Sequence, residues 1–215
     1  MQTCLLSNTE PYLLQQERLP KTGKHIIGHF SSDTIVVYQA FNHQIAEYAV
    51  QNQKFGGNHY SLSRMTWIKP GFMWMMYRSG WAQKEDQECI LAIHLKLDGF
   101  MEILRNAAHS SFQPDIYKTR EDWQKELITH KVRLQWDPDH NPGGIKLERR
   151  AIQLGMKDDM LELFNNKWII RIEDVTEFVK IQRNNALNDL NKLEVPVEDV
   201  FEIKDISIKN RLGIS

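Results

Sequence analysis

One positively charged stretch of the sequence holds the side chains best suited to bind an anion. Residues 48–84 carry Lys54, Arg64, Lys69, Arg78 and Lys84 and contain no Asp or Glu. An isolated cation costs on the order of several kcal/mol to bury, so cations embedded in apolar sequence indicate that an anion meets them. The stretch therefore predicts a local basic pocket in a chain whose formal net charge is only -1.

Tryptophan and methionine are concentrated in the same stretch. Residues 64–81 hold Trp67, Trp74 and Trp81, three of the six tryptophans, and four of the eight methionines. Pro70 favours a helix start and Gly80 a helix end, so we expect a short buried helix over 72–78, entered through an extended segment at 66–69. Large apolar residues at nearly every position predict that this helix is buried on most sides.

A purely structural interpretation of these residues also exists. Buried Trp and Met side chains fill irregular gaps in cores, and Arg78 would then pair with an acid such as Glu173 or Asp174. This interpretation explains one cation more readily than it explains Arg64, Lys69 and Arg78 together.

Polar side chains also lie at the ends of the predicted apolar elements, where binding sites are usually built. Arginine forks suit phosphate and carboxylate, and Trp or Tyr faces suit a base or a nicotinamide ring, so the set indicates a nucleotide-sized pocket. Taken singly, Gln135 and Gln153 are as well explained by hydrogen bonds to neighbouring backbone. The candidates are Tyr38 and Gln39 after a first strand, Arg64, Trp67, Lys69, Tyr77 and Arg78 around the buried helix, Gln135, Trp136 and Asp137 at the end of a later strand, and Arg149, Arg150 and Gln153 on the next.

No strong cofactor or metal motif is present. The sequence lacks G-x-G-x-x-G, G-x-x-x-x-G-K-[ST], H-E-x-x-H and C-x-x-C, and its eight histidines are scattered. His25 and His29 are spaced for one helix face, but the residues between them are typical of a strand or loop. We therefore expect no metal.

Composition limits the class of protein. The pI near 6.7 argues against a protein that coats nucleic acid or a membrane surface. Two cysteines, Cys4 and Cys89, are too few for a disulfide framework, and no apolar run approaches the ~20 residues of a membrane span. The first residues are unlike a signal peptide. We expect a cytoplasmic protein without membrane contact.

The pattern of elements predicts one α+β domain with mixed or antiparallel sheets and flanking helices. Strands and helices mix without a regular βαβ rhythm. We expect an irregular N-terminal lead-in over 1–27, a single domain over 28–186 and a charged C-terminal extension over 187–215. Strands are expected over 34–40, 87–97, 131–137, 150–154 and 168–172, and helices over 43–53, from a cap at Asp98 to 107, over 119–129 and 157–165, and from Asp174 or Thr176 to 186.

Five stretches of the sequence resemble an uncharacterised family of bacteria and eukaryotes, domain-of-unknown-function family 4291. They are residues 34–40, 64–81, 132–138, 150–155 and 168–176. The resemblance covers about residues 28–179 and is most specific in the W-I-K-P-x-F-x-W-M-x-Y-R-S-G-W pattern within residues 67–81. The family implies no activity, so function must be inferred from the site.

The order of elements from Tyr38 to residue 97 is also similar to the opening of ADP-ribosyltransferase folds, which clamp NAD between two sheets. That resemblance implies that Tyr38 or Gln39 lies near the nicotinamide ribose and that Arg64 or Arg78 lies near the pyrophosphate. Such enzymes commonly place a glutamate on a late strand, where this chain has Gln153. A glutamine hydrogen-bonds a hydroxyl but carries no charge.

Three hypotheses follow. The first is a nucleotide-binding enzyme, specifically an NAD-dependent ADP-ribosyltransferase, with Tyr38, Gln39 and Gln153 in catalysis. Its ligand-binding residues would be Arg64, Trp67, Lys69, Tyr77, Arg78, Gln135, Trp136 and Arg150. The second is a non-catalytic module that binds a nucleotide, another phosphate-bearing ligand or a nucleic-acid end. The third is a structural or partner-binding domain whose cations are all paired internally.

Overall fold

The computed structural model describes residues 8–214. Within that range the chain forms eight α-helices, one π-helical turn at Phe164–Trp168 and one 3-10 turn at Leu190–Lys192. The helices are Tyr12–Arg18 (α1), His43–Asn52 (α2), Phe72–Ser79 (α3), Leu97–Arg105 (α4), Arg120–Thr129 (α5), Asp158–Leu163 (α6), Thr176–Asn188 (α7) and Ile206–Leu212 (α8).

The strands of the same range form four sheets, with orders β1-β10, β11-β2, β3-β5-β9 and β4-β8-β7-β6. They are Thr9–Pro11 (β1), Ile27–Gly28 (β2), Thr34–Phe41 (β3), Thr66–Ile68 (β4), Cys89–Lys96 (β5), Ala107–His109 (β6), Val132–His140 (β7), Lys146–Met156 (β8), Ile169–Asp174 (β9), Glu194–Pro196 (β10) and Asp199–Val200 (β11).

The three-stranded sheet β3-β5-β9 is antiparallel throughout and is covered on both faces. Side chains alternate across a strand, so Ile35 and Val37 join one apolar cluster while Val36 and Tyr38 join another. Asn42 caps the following α2, because its side chain accepts a hydrogen bond from the backbone of Ile45. β3 and α2 confirm the strand and the helix expected over residues 34–53.

The four-stranded sheet presents polar side chains on part of one face. β7 and β8 form an antiparallel hairpin that places Gln135 directly opposite Gln153, and β6 runs parallel to β7. Gly144 makes the hairpin turn with a φ of 81°, a conformation that glycine adopts without strain. The combination of helices with mixed and antiparallel sheets confirms the predicted α+β class.

Helix α3 forms where the sequence predicted a short buried helix. Residues from Phe72 to Met76 are buried, and the helix ends at Gly80 in the left-handed conformation. At its start the backbone of Phe72 donates a hydrogen bond to Oε1 of Glu198, 2.8 Å away. Asp98, in contrast, lies in the first turn of α4 and does not cap it.

The expected irregular lead-in is wrong for residues 9–18, which form β1 and α1. The reason is tertiary: β1 pairs with β10, which places Glu10 opposite Val195, and Tyr12 packs in the cluster that contains Val195. Residues 1–7 lie outside the described range, and so does Cys4.

The expected C-terminal extension is also part of the packed domain. Ile203, Ile208 and Leu212 belong to the same apolar cluster as the strands β5 and β7. The boundaries expected at 28 and 186 therefore do not separate the terminal segments from the core. In residues 8–214 no helix has the length and apolarity to cross a membrane.

Candidate functional site

A cleft of about 450 Å³ opens between the polar face of the four-stranded sheet, the end of β3 and helix α3. Strands position most of its walls, so the polar groups are held by hydrogen-bonded backbone. The lining residues are Gln39, Ala40, Phe41, Arg64, Met65, Thr66, Trp67, Lys69, Met75, Arg78, Gln87, Gln135 and Gln153.

Lys69 lies at the junction of the two sheets. Its backbone pairs with that of Tyr38 in both directions, at 2.7 and 3.1 Å, which ties the end of β4 to β3. The side chain is 8 % exposed, and Nζ donates a hydrogen bond to the carbonyl oxygen of Trp67 at 3.0 Å. Burial and, to a smaller extent, the positive charge of Arg78 lower the pKa of Lys69 to about 7, although the Asp137 carboxylate acts in the opposite direction.

Arg64 and Arg78 reach the cleft from its rim and are both exposed. Arg78 lies over the ring of Trp74, with 6.0 Å from the guanidinium carbon to the ring centroid. Among residues 8–214, neither arginine forms an ion pair, and Lys69 forms none either. Within the described residues, the three basic side chains therefore have no carboxylate at ion-pair distance, and the Asp137 carboxylate acts on Lys69 only without direct contact.

The acids proposed as structural partners of Arg78 have other contacts. Glu173 accepts from Nε2 of His94 at 2.7 Å and pairs with Arg171 at 3.3 Å. Asp174 accepts a hydrogen bond from the backbone of Thr176 at 2.9 Å. The structural interpretation of Arg78 through these two acids is not observed.

Two separate sets of side-chain hydrogen bonds in the cleft involve glutamines. Nε2 of Gln153 donates to Oε1 of Gln135 at 2.7 Å and to Oδ2 of Asp137 at 2.8 Å. Nε2 of Gln39 donates to Oγ1 of Thr66 at 2.6 Å and to the carbonyl oxygen of Trp67 at 3.2 Å. The buried Oε1 of Gln39 has no hydrogen-bond partner within the described part of the chain. A buried acceptor left without a partner costs about 1–3 kcal/mol, which makes this oxygen a candidate ligand contact.

The indole of Trp67 is held against Gly155 of the neighbouring strand. The two residues are directly opposite in the β4–β8 pairing. A Cβ at position 155 would lie 2.7 Å from Sδ of Met65 and 2.8 Å from Cε2 of Trp67, distances too short for a normal contact. The small residue thus allows the indole to lie flat against the sheet beside the cleft.

Seven of the eleven predicted site residues line this cleft, and four do not. Tyr38 is fully buried on the opposite face of β3, where its ring packs against Phe72 with centroids 5.6 Å apart. Burial raises the pKa of Tyr38 well above its ordinary value, and its hydroxyl has no partner among the described residues. The expectation that Tyr38 acts in the cleft is therefore wrong, because strand alternation turns it away from Gln39.

Tyr77 also points away from the cleft. Its ring stacks on His140, with centroids 3.4 Å apart and planes 8° apart. Trp136 and Arg150 line a neighbouring cleft of about 540 Å³, which shares Gln135 with the first. Trp136 is anchored there by a hydrogen bond from Nε1 to the carbonyl oxygen of Leu212 at 2.8 Å.

Two residues of the site, Thr66 and Gln87, were not among the predicted candidates, and Asp137 was a candidate without an assigned role. Thr66 and Gln87 line the cleft, and the Asp137 carboxylate lies behind Gln153. A signal for Asp137 was present, because Gln135 and Asp137 alternate onto the same face of β7. Arg149 is buried in an ion pair with Asp139, 2.6 Å away, and does not belong to the cleft.

In residues 8–214 no group of three or more His, Cys, Asp or Glu side chains is arranged to hold a metal ion. The cleft itself presents ammonium, guanidinium, amide, hydroxyl and indole groups.

Comparison with known families and proteins gives one match. The family model described as "Domain of unknown function (DUF4291)" matches residues 25–201 and thus every lining residue of the cleft. No curated protein matches the chain. Since the match covers well over half of the 215 residues, the chain belongs to the DUF4291 family.

Proposed function

We propose that the protein binds a nucleotide, or another phosphate-bearing ligand, in the cleft between the two larger sheets. The observation that supports this most is the convergence of Arg64, Lys69 and Arg78 on one cleft, with no ion pair from any of them to a carboxylate in residues 8–214. A phosphate supplies the missing negative charge, and arginine forks bind its oxygens in pairs.

The rest of the ligand would contact the polar and aromatic surface beside the cations. Trp67 offers an indole face suited to a base, while Gln39 offers an acceptor oxygen that lacks a partner within the described residues. Gln135 and Gln153 present amide groups suited to ribose hydroxyls. The cleft volume is within the range of about 300–1,000 Å³ usual for small-molecule sites.

ADP-ribosyl transfer from NAD is the specific enzymatic version of this proposal. Gln39 and Gln153, two of the three predicted catalytic residues, line the cleft. The Asp137 carboxylate, 2.8 Å from Nε2 of Gln153, supplies the negative charge that a glutamine lacks and that stabilises an oxocarbenium-like transition state. If the protein is incubated with NAD, release of nicotinamide would support this version. Tight binding of NAD without release of nicotinamide would support a non-catalytic module.

The neighbouring cleft favours one form of that module, which binds a nucleic-acid end. Lys24, Trp136 and Arg150 line it, and it meets the first cleft at Gln135. A strand end longer than one nucleotide would extend from the first cleft into the second. A cytoplasmic location belongs to the same proposal and is supported by the low cysteine content and the free thiol of Cys89.

Calorimetric titration with ADP tests the binding proposal. We expect Arg64→Gln and Arg78→Gln each to weaken binding by about 1.5–3 kcal/mol, the usual contribution of a hydrogen bond to a charged group. Arg105→Gln removes the same charge from α4, where Arg105 pairs with Glu102 outside the cleft, and serves as the matched control.

Thermal unfolding of the same variants separates binding from a purely structural role. If the cleft binds phosphate, the two rim variants remain as stable as Arg105→Gln and lose affinity. A large loss of stability in Arg78→Gln, with unchanged ADP binding, would instead support the structural or partner-binding hypothesis.

A further inference from the structure

The amine of Lys69 combines access to the cleft with burial. It lines the cleft although the side chain is only 8 % exposed. Within residues 8–214 its hydrogen bond goes to the carbonyl oxygen of Trp67, and it pairs with no carboxylate. A lysine that served only to pack would leave its charge unmatched at the site where a ligand enters.

The backbone around Lys69 is held in place on both sides of the residue. Lys69 exchanges two backbone hydrogen bonds with Tyr38, and the next residue, Pro70, has a restricted φ. Nζ itself is held by its hydrogen bond to the carbonyl oxygen of Trp67 at 3.0 Å, an oxygen that Nε2 of Gln39 also contacts at 3.2 Å. The amine thus has the defined position that a reacting group requires.

Burial and two charged side chains determine the protonation state of this amine. Burial and the Arg78 guanidinium lower the pKa of Lys69 to about 7, and the Asp137 carboxylate acts in the opposite direction with a smaller effect. A large fraction of the amine is thus neutral near neutral pH, and a neutral amine is the form that attacks carbonyl carbon.

We propose that Lys69 forms a Schiff base with the aldehyde carbon of a phosphorylated ribose held in the cleft. This inference rests on the proposed phosphate-binding function and adds a substrate class to it, namely a reducing sugar joined to phosphate. ADP-ribose is the nucleotide form of that class and ribose 5-phosphate is the simple form.

The step is balanced without an oxidant or a reductant. The lone pair of Nζ attacks the aldehyde carbon and the C–O π bond becomes a hydroxyl, which gives a carbinolamine. That intermediate loses its hydroxyl and one nitrogen-bound proton as water, and a C=N bond forms. Arg64 and Arg78 hold the phosphate, so the sugar carbonyl is presented to the amine.

Reductive trapping tests the proposal on the full chain. The protein is incubated with ADP-ribose, with ribose 5-phosphate or with unphosphorylated ribose at pH 7.5, treated with sodium cyanoborohydride and mapped by peptide mass spectrometry. We expect labelling of Lys69 by the phosphorylated sugars at an initial rate at least about tenfold above that of exposed Lys54, since an ordinary lysine is almost fully protonated at this pH. The relative rates of the two phosphorylated arms show which form the cleft prefers.

Two lysine variants serve as controls for the labelling experiment. Lys54→Arg should leave labelling at Lys69 intact, and Lys69→Arg should abolish it; the wild-type peptide map decides the question if the latter variant fails to fold. Equal labelling of exposed lysines, or equally fast labelling of Lys69 by unphosphorylated ribose, overturns the proposal. Absence of label at Lys69 while ADP still binds overturns the Schiff base alone, whereas loss of both overturns the binding function too.

Discussion

Burial and the proposed binding of phosphate favour different protonation states of Lys69. A cation in the cleft helps to bind phosphate, but removing its charge from water is unfavourable, and that cost lowers the pKa of Lys69 to about 7. Burial of Lys69 therefore lowers the free energy of unfolding of the protein, at a residue for which we propose a role in the cleft.

This penalty predicts a pH dependence of stability. Between pH 7 and 10.5 the unfolded chain holds a proton on Lys69 that the folded protein lacks, so raising the pH favours the folded state. The free energy of unfolding of the wild type should rise relative to Lys69→Met by at most about 1.4 kcal/mol per pH unit, and the rise should become small at about pH 6 and below. Urea denaturation from pH 6 to 9.5 measures it; parallel curves for the two proteins would contradict it.

Residue types in the site were predictable, but the direction in which each side chain points was only partly so. The absence of acids in residues 48–84 identified Arg64, Lys69 and Arg78, which do converge. Tyr38 and Tyr77 were misplaced because strand alternation and the stacking of Tyr77 on His140 turn them away. That stacking depends on a partner 63 positions away, which local sequence does not reveal.

At the scale of the elements, the pairing of β4 with β8 determines where the indole of Trp67 lies. Gly155 faces Trp67 across the pair, and no space exists there for a larger residue. We therefore expect the packing of this strand pair and the proposed ligand binding to depend on the same position.

Gly155→Ala should disturb both properties. Its added methyl would overlap Met65 and Trp67, so we expect a loss of stability of about 1–3 kcal/mol, typical of overpacking, together with weaker ADP binding. Chemical denaturation and calorimetry provide the two measurements. Gly143→Ala is the matched control, because a methyl there would have only Oδ1 of Asn141 nearby, at 3.6 Å. Equal effects of the two substitutions would show that the contact with Trp67 is unimportant.

Most of the larger elements were predictable, because their apolar periods and caps are local. Asn42 and Thr119 cap α2 and α5, which begin close to where the sequence predicted helices. The pairing of β4 with β8, which builds the cleft floor, joins residues about ninety positions apart and follows from no local signal.

At the scale of the whole molecule, the terminal segments complete the core. β1 pairs with β10, and Glu198 of the C-terminal part accepts a hydrogen bond from the start of α3. Helix α8 packs its buried face near Trp136, which donates to the carbonyl oxygen of Leu212. The frame of the site therefore includes residues near both ends of the chain.

Two isoleucines on α8 test this packing. Ile208 is 3 % exposed and Ile206 is 73 % exposed, so they differ in burial but not in type. Ile208→Ala should reduce the free energy of unfolding by about 2–5 kcal/mol, whereas an exposed substitution such as Ile206→Ala should change it by about 0.5 kcal/mol or less. Similar values for both variants, measured by urea denaturation, would show that α8 is not part of the core.

The α+β class was predictable because elements of both kinds alternate irregularly along the chain. The role of the termini was not, because short polar segments such as β1 and β10 gain their structure from each other. The predicted boundaries at 28 and 186 therefore divided a single packed unit.

A crystal structure of the protein soaked with ADP tests the central claim most directly. We predict that the diphosphate lies within hydrogen-bond distance of Arg64, Lys69 and Arg78. The adenosine should lie in the part of the cleft lined by Trp67 and by Gln39, Gln135 and Gln153. Density for ADP at another surface, or an empty cleft at saturating ADP, would contradict it.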